Sequence, residues 1–472
     1  MARIYLDTNV FSNLKSNASN KFQKLNKYIE LYKGNVDFFF SHAHVRDKRK
    51  DKTDHKFEDF DFMEKIVGDN YISYHALDKN TSFYLATPKM VFDDEELFDD
   101  TDMLINFWEP KETDDPIFAL IKPLIKNAFS SVQVPIDLKW DTLSEKDKEL
   151  IKKMIPVNDD GQIDFAEFLP HFITYQYQIL TDGTAYKELR SLIDKSINNG
   201  KYTTVNGDFD FNEGFKNSAF EKTFFEYIYE SCKTNGNEEV LDYDFYLKAY
   251  ATLDFMGISK DKINNKNTFD NMLNDALHSL YARHFDYFVT DDSQAIQKSK
   301  ALYNLTNVVT KVITSGEFLE LIEKIGKPTE GHLIDFFGNL SKDINEIAVI
   351  DSKEIDEGII SQKFLEHEYM NTFDELLELK NDEGRHFYLA KTQKFRLWQP
   401  NFRETGQIVN RCIVLFGPDA GQFGLFDFEK EHKQIDQDNW KGRFWQIGTL
   451  SIYLHMSKGL KKLCLWISSI PS

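Results

Sequence analysis

Strand and helix alternate from the first residues of the chain to about residue 75, stop, and alternate again from about residue 272. The first run opens with Ile4, Tyr5 and Leu6 as a short buried strand. KFQKLNKYIELYKG follows, with Phe22, Leu25, Ile29 and Tyr32 at helical spacing and Gly34 as a stop. VDFFFS is an apolar run of strand length, HAHVRDKRK starts a helix, FDFMEKIV is a further helix and YISYH a strand. The second run reads MLNDALHSLYA (helix), FDYFVT (strand), SQAIQKSKAL (helix), NVVTKV (strand) and GEFLELIEKI, a helix behind a Ser315 cap. Such alternation predicts a parallel sheet with helices on its faces.

Between the runs, PIFALIKPLIKNAF, SEKDKELIKKMI, FEKTFFEYIYESC and VLDYDFYLKAYATLDFM have helical length and spacing. Beyond about residue 330, RHFYLAKTQKFRLW, QIVNRCIVLFG, GQFGLFDFE and RFWQIGTLSIYLHM read as strands divided by Gly, Pro, Asp and Asn. The closing LKKLCLWISSI is a strand or a tail. The expected architecture is a discontinuous α/β domain over 1–75 and 270–328, a helical insertion over 76–269, and a β-rich accessory domain over 329–472.

Three strands of the α/β rhythm are followed by an acid in the same kind of place. Asp7 follows the first strand, Asp47 the second, and Thr290, Asp291 and Asp292 stand at the end of FDYFV. Asp275 sits at the edge of a helix whose apolar face is Met272, Leu273, Ala276, Leu277 and Leu280. In open α/β sheets the site lies outside the carboxyl ends of the strands. An acid there is either a helix cap or one corner of a site.

IYLDTNV, the run from Ser41 to Asp47, the Asp275 helix and VTDD resemble the four-acid pattern of PIN-domain nucleases. The match covers residues 1–75 and 270–325. It implies a PIN-like fold in which Asp7, Asp47, Asp275 and Asp292 form an acidic metal site, with Asp291 adjacent and Thr8, Asn9 and Thr290 as polar supports. The second acid of the family is usually Glu, and this chain has Asp47. The Thr-x-Asp spacing selects Asp292 over Asp291. Converging carboxylates repel unless a cation neutralises them, and all-oxygen ligation with retained water points to Mg2+ or Mn2+. The implied activity is phosphodiester hydrolysis, foremost by an endoribonuclease, with a toxin or defence role. Two readings compete. A haloacid-dehalogenase-like phosphohydrolase also places an Asp after its first strand, but needs an acid two residues on, where this chain has Asn9. A PIN-like scaffold that binds nucleic acid without cutting it is the other.

A formal charge of −20 argues against a nucleic-acid partner, but that charge is uneven. Residues 385–472 hold 13 Lys and Arg against 7 Asp and Glu, a net of +6, which leaves −26 on residues 1–384. Arg396, Trp398 and Arg443 in that basic region, with Arg46, Lys48 and Lys298 beside the acids, are the candidate substrate contacts. RNA is favoured over DNA. A protein partner or second copy would engage the insertion or the C-terminal region. The three cysteines, Cys232, Cys412 and Cys464, are too few and too far apart for a disulfide framework or a cysteine zinc site. With no signal segment and no apolar run of membrane length, a cytoplasmic, non-membrane protein is expected.

Three further signals have plainer readings. His42, His44 and His278 could move protons near the acids, but supporting roles are commoner. PVNDDGQIDFAEF imitates a calcium loop with Pro156 at the first ligand position, which favours a turn. GPDAGQFG lacks the Lys-Ser/Thr ending of a phosphate loop and reads as a hairpin loop.

Overall fold

The computed structural model describes residues 2–75, 79–95, 221–233, 239–255, 268–327, 331–355, 358–382, 384–391, 402–457 and 462–469, with shorter pieces between 133 and 217. The chain divides into two compact units. The first joins Met1–Lys89, Tyr281–Ile296 and Thr306–Ser472, and the second joins Met90–Leu280 and Gln297–Leu305.

The first unit holds two sheets. In chain order the elements of the N-terminal run are β1 (Ala2–Leu6), α1 (Thr8–Lys15), α2 (Asn20–Tyr32), β2 (Val36–Ser41), α3 (His42–Arg49), α4 (His55–Val67), β3 (Asn70–His75) and β4 (Asn80–Leu85). β1 and β2 are buried along their whole length. The rhythm then returns as β5 (Tyr287–Val289), α5 (Ser293–Leu305, of which Gln297–Leu305 belongs to the second unit), β6 (Lys311–Ile313) and α6 (Ser315–Gly326). The strand order is β4-β3-β2-β1-β5-β6. β3, β2, β1, β5 and β6 run parallel, and β4 is an antiparallel edge that the alternating reading had not included. From β1 the chain steps to β2 on one side and later to β5 on the other, so β1 and β5 flank the point where the winding reverses. The cap of α6 is Thr314 rather than Ser315, in a capping box with Glu317.

Past residue 330 come α7 (Leu333–Glu346), β7 (Asp351–Ile355), β8 (Gly358–Tyr369), β9 (Phe373–Asn381), β10 (Gly384–Ala390), α8 (Phe402–Phe416), α9 (Phe428–Asp436), β11 (Arg443–Ile447), β12 (Leu450–Ser457) and β13 (Lys462–Ser469). The seven strands make one sheet in the order β11-β12-β13-β10-β9-β8-β7, antiparallel throughout. The C-terminal region is therefore β-rich, as expected, and LKKLCLWISSI is a strand. QIVNRCIVLFG, by contrast, is helix α8. Ile408, Val409 and Cys412 are buried at helical spacing while Val414 is 87% exposed, a period that its β-branched residues obscure. The GQFGLF part of GQFGLFDFE is a loop whose Phe423 and Leu425 are exposed, followed by α9, which Asp427 caps. GPDAGQFG accordingly joins two helices instead of two strands. The core of this region packs Phe336, Tyr369, Leu376, Leu389, Trp445 and Ile467 among others.

Helix α8 fastens the C-terminal sheet to the start of the parallel one, which places 329–472 in the same unit as the α/β sheet. Arg3 on β1 pairs with Glu404, Lys391 reaches Glu404 at 3.2 Å and Asp286 at 3.8 Å, and Arg403 meets Asp69 at 2.6 Å. Arg411 donates to the Met370 and Gly34 carbonyls and to Asn35 Oδ1.

The second unit is mainly helical in its described parts, including Glu145–Met154, Gly183–Ile193, Phe224–Cys232, Asp242–Phe255 and most of Phe269–Ala282. PIFALIKPLIKNAF lies outside the described residues, as does most of the calcium-like loop. The loop's Gln162–Asp164 forms a short strand antiparallel to Gln133–Pro135. No described helix is long and apolar enough to cross a membrane.

Candidate functional site

β1 carries Tyr5 opposite Phe39 of β2 and Leu6 opposite Val289 of β5, so the next residue, Asp7, falls level with Ser41 and Thr290. The same step along β6 brings Thr314 level with Thr290, whose amide donates to Ile313 O at 3.0 Å. A row of polar residues thus closes the carboxyl end of the sheet: Ser41, Asp7, Thr290, Thr314.

Asp7 holds the N-cap position of α1 with extended backbone (φ −64°, ψ 153°), yet its side chain makes no cap hydrogen bond. Instead Thr290 Oγ1 donates to Asp7 Oδ2 at 2.7 Å, and Asp7 is only 7% exposed. The same Thr290 oxygen accepts from the Asp292 amide at 3.1 Å. A hydroxyl has one proton, so the chain of bonds has one direction, from Asp292 N–H through Thr290 to the Asp7 carboxylate. Asp292 does cap: its Oδ1 accepts from the Gln294 and Ala295 amides at 2.7 and 2.9 Å. Asp291 turns the other way, to Ser315 N at 2.8 Å, Ser315 Oγ at 2.5 Å and Lys21 Nζ at 3.2 Å. Burial pushes the Asp291 carboxyl up, but the Ser315 and Lys21 bonds outweigh it and hold it below its ordinary range.

Asp47 lies half-buried on α3. It shares a neighbourhood with Asp7: burial pushes the Tyr5 phenol well up, the Ser41 hydrogen bond opposes that, and the charges of Asp7 and Asp47 add to the rise. Tyr5 Oη and Ser41 Oγ are 2.7 Å apart. His44 is fully buried. Its Nδ1 accepts from the Ser41 amide at 3.1 Å, which leaves the proton on Nε2 to donate to Leu6 O at 2.7 Å. It braces the end of β1, in keeping with the supporting reading of this histidine. His42 Nδ1 lies 3.0 Å from Tyr281 Oη, which also accepts from the Tyr74 amide. Thr8 is buried and Asn9 exposed at the start of α1.

Asp275 lies half-buried on the helix Phe269–Ala282, in the part belonging to the second unit, as does the buried His278. Among the described residues no three His, Cys, Asp or Glu side chains are gathered as ready ligands for an ion. The acids that the described geometry does link are Asp7 and Asp292, through Thr290, with Asp47 acting on the same phenol as Asp7. An oxygen-only donor set of this kind fits Mg2+ or Mn2+ better than zinc.

Several expected substrate contacts are engaged elsewhere. Lys298 is 1% exposed and pairs with the fully buried Asp254 at 3.0 Å inside the second unit, where Tyr186 and Arg190 also meet Asp254. Arg443 is likewise 1% exposed, locked between Asp419 at 2.8 Å and Glu431 at 2.5 Å. Neither can reach a phosphate, because a buried cation with a carboxylate partner cannot leave it without stranding the partner's charge. Lys48 binds Asp59 at 2.6 Å with its side chain 13% exposed. Arg46 is half-buried on α3, and Arg396 and Trp398 lie outside the described residues.

No family model, curated protein or solved structure matches the chain.

Proposed function

We propose that the chain is a divalent-metal-dependent nuclease that hydrolyses phosphodiester bonds, with RNA the favoured substrate and a toxin or defence role. One observation carries the reading: at the reversal of winding, Asp7 occupies a cap position and declines to cap, turning its buried carboxylate to Thr290 of the neighbouring strand. A carboxylate that only closed a helix would bond the amides of α1. Ligand sites of open α/β sheets form at such reversals.

Mg2+ or Mn2+ held by Asp7, Asp47 and Asp292 would activate a water and stabilise charge on the phosphate. The chain's own part is orientation. Thr290 fixes Asp7 at Oδ2, the start of α5 fixes Asp292 at Oδ1, and α3 presents Asp47. Asn9 stands where a phosphatase of the haloacid-dehalogenase type needs its second acid, which disfavours that chemistry. The preference for RNA rests on the resemblance alone.

The test is cleavage of single-stranded RNA by purified protein with Mn2+, with Asp7→Asn alongside. Metal-dependent cleavage lost in the variant supports the reading. Equal cleavage by the variant, or phosphate release from small phosphomonoesters with RNA left intact, overturns it.

A further inference from the structure

At the amino end of the same sheet, Asp37 of β2 is 4% exposed and faces Gln407 of α8. Gln407 Nε2 donates to Asp37 Oδ1 at 3.3 Å. The other two oxygens of this pair, Asp37 Oδ2 and Gln407 Oε1, are both buried and have no hydrogen-bond partner among the described residues. Both are acceptors if Asp37 is ionised, and two buried orphan acceptors are costly. A carboxylic acid and a primary amide, however, are complementary. The amide N–H meets one acid oxygen, and the acid O–H meets the amide oxygen.

We propose that Asp37 and Gln407 form a proton-operated latch between β2 and helix α8. Uptake of one proton from solvent turns Asp37 Oδ2 into a donor to Gln407 Oε1, completes the two-bond acid–amide ring and satisfies both orphans. Loss of that proton breaks the second bond and loosens the seat of α8 on the parallel sheet.

The surroundings agree. Burial, followed by the negative charge of Glu404, pushes Asp37 up to about 6, against the pull of the amino terminus, of Arg3 and of the Gln407 bond. Arg3 is the register neighbour of Asp37 on β1, but its Nη2 is committed to Glu404. Of the other charges of this junction, Lys391 pairs with Glu404 and with Asp286. Arg3 Nε is also buried and unpartnered, so the rival arrangement is an ionised Asp37 turned to Arg3.

The sign follows from linkage. A carboxyl whose folded value lies above its unfolded value of about 3.9 contributes stability that is complete below the unfolded value and lost as pH rises through about 6. Carbon-13 titration of Asp-labelled full-length protein, with Asp37→Asn to assign the signal, is expected to show a midpoint near 6. A midpoint near 4 means the rival pair with Arg3 and overturns the latch. Hydrogen exchange gives a second reading. Amides of α8, corrected for intrinsic rates, should be about tenfold better protected at pH 5 than at pH 7.5. In Asp37→Asn the amide Nδ2–H replaces the acid O–H, and the difference should vanish. Persistence of the tenfold change in that variant also overturns the proposal. Should the variant fail to fold, the wild-type titration decides alone, with the Asp37 signal assigned in Gln407→Leu.

Discussion

The two ends of the parallel sheet carry matching rows of polar residues with opposite chemistry. At the amino end the row is Asp37, Arg3, Asp286 and Thr310, where the Arg3 guanidinium pairs with Glu404, Asp286 lies 3.8 Å from the Lys391 ammonium and Asp37 accepts from the Gln407 amide. At the carboxyl end the row is Ser41, Asp7, Thr290 and Thr314, and Asp7 meets a hydroxyl. Burial alone does not distinguish them, since Asp286 and Asp7 are equally exposed at 7%. The partners do. Asp286 has the Lys391 ammonium beside it, whereas Asp7 Oδ2 is fixed by the Thr290 hydroxyl, the arrangement that the proposed metal site would use.

The contrast breaks first at Asp7. Asp7→Asn should lower cleavage about 10³-fold, near 4 kcal/mol of transition-state stabilisation, with little change in Tm. A large fall in Tm with proportionate activity would show that the two rows are alike. Glu404→Gln should do the reverse, costing about 3–5 kcal/mol of stability in denaturant titration because Arg3 and Lys391 lose their shared partner, while activity per folded molecule persists. Burial pushes Glu404 up, but Arg3 and Lys391 overwhelm this and hold it well below the carboxylate range. Its contribution is therefore present above the ordinary glutamate value and lost as pH falls through the depressed one. This is the opposite direction from Asp37, its neighbour in the same junction. Thr290→Val should reduce cleavage about 10- to 100-fold by unfixing Asp7, and Thr290→Ser should restore most of it. Smallest is Asp291→Asn, which should cost about 1 kcal/mol through its Ser315 and Lys21 bonds. A cleavage loss as deep as that of Asp7→Asn would shift the acid assignment from Asp292 to Asp291.

The strand ends were legible because buried parallel strands read as mainly apolar runs, and FFFS, IYL and YFV each run into a polar residue. What followed from pairing across long sequence distances was not. Lys298 and Arg443 look like solvated cations in any local window, and only Asp254, 44 residues before Lys298, and Asp419, 24 residues before Arg443, bury them. Helix α8 was hidden by its Ile and Val content, and β4 by its polar, half-exposed edge pattern. That Asp7 would refuse its cap could not be seen from DTNV, which is a normal helix start until Thr290 is known.

Asp7 and Thr290 are separated by 283 residues of chain. As the polypeptide is made, β1, β2 and β3 emerge early with Asp7 at an open sheet edge, and the strand that supplies Thr290 and Asp292 comes only after the whole insertion. Closing so long a loop adds a modest entropic cost, about 0.6 kcal/mol for each doubling of length, but it imposes an order of events. On the proposed reading, a chain cut short anywhere before β5 lacks the hydroxyl that orients Asp7, so truncated products of synthesis would not cleave, and cleavage would wait until the strand bearing Thr290 has been made.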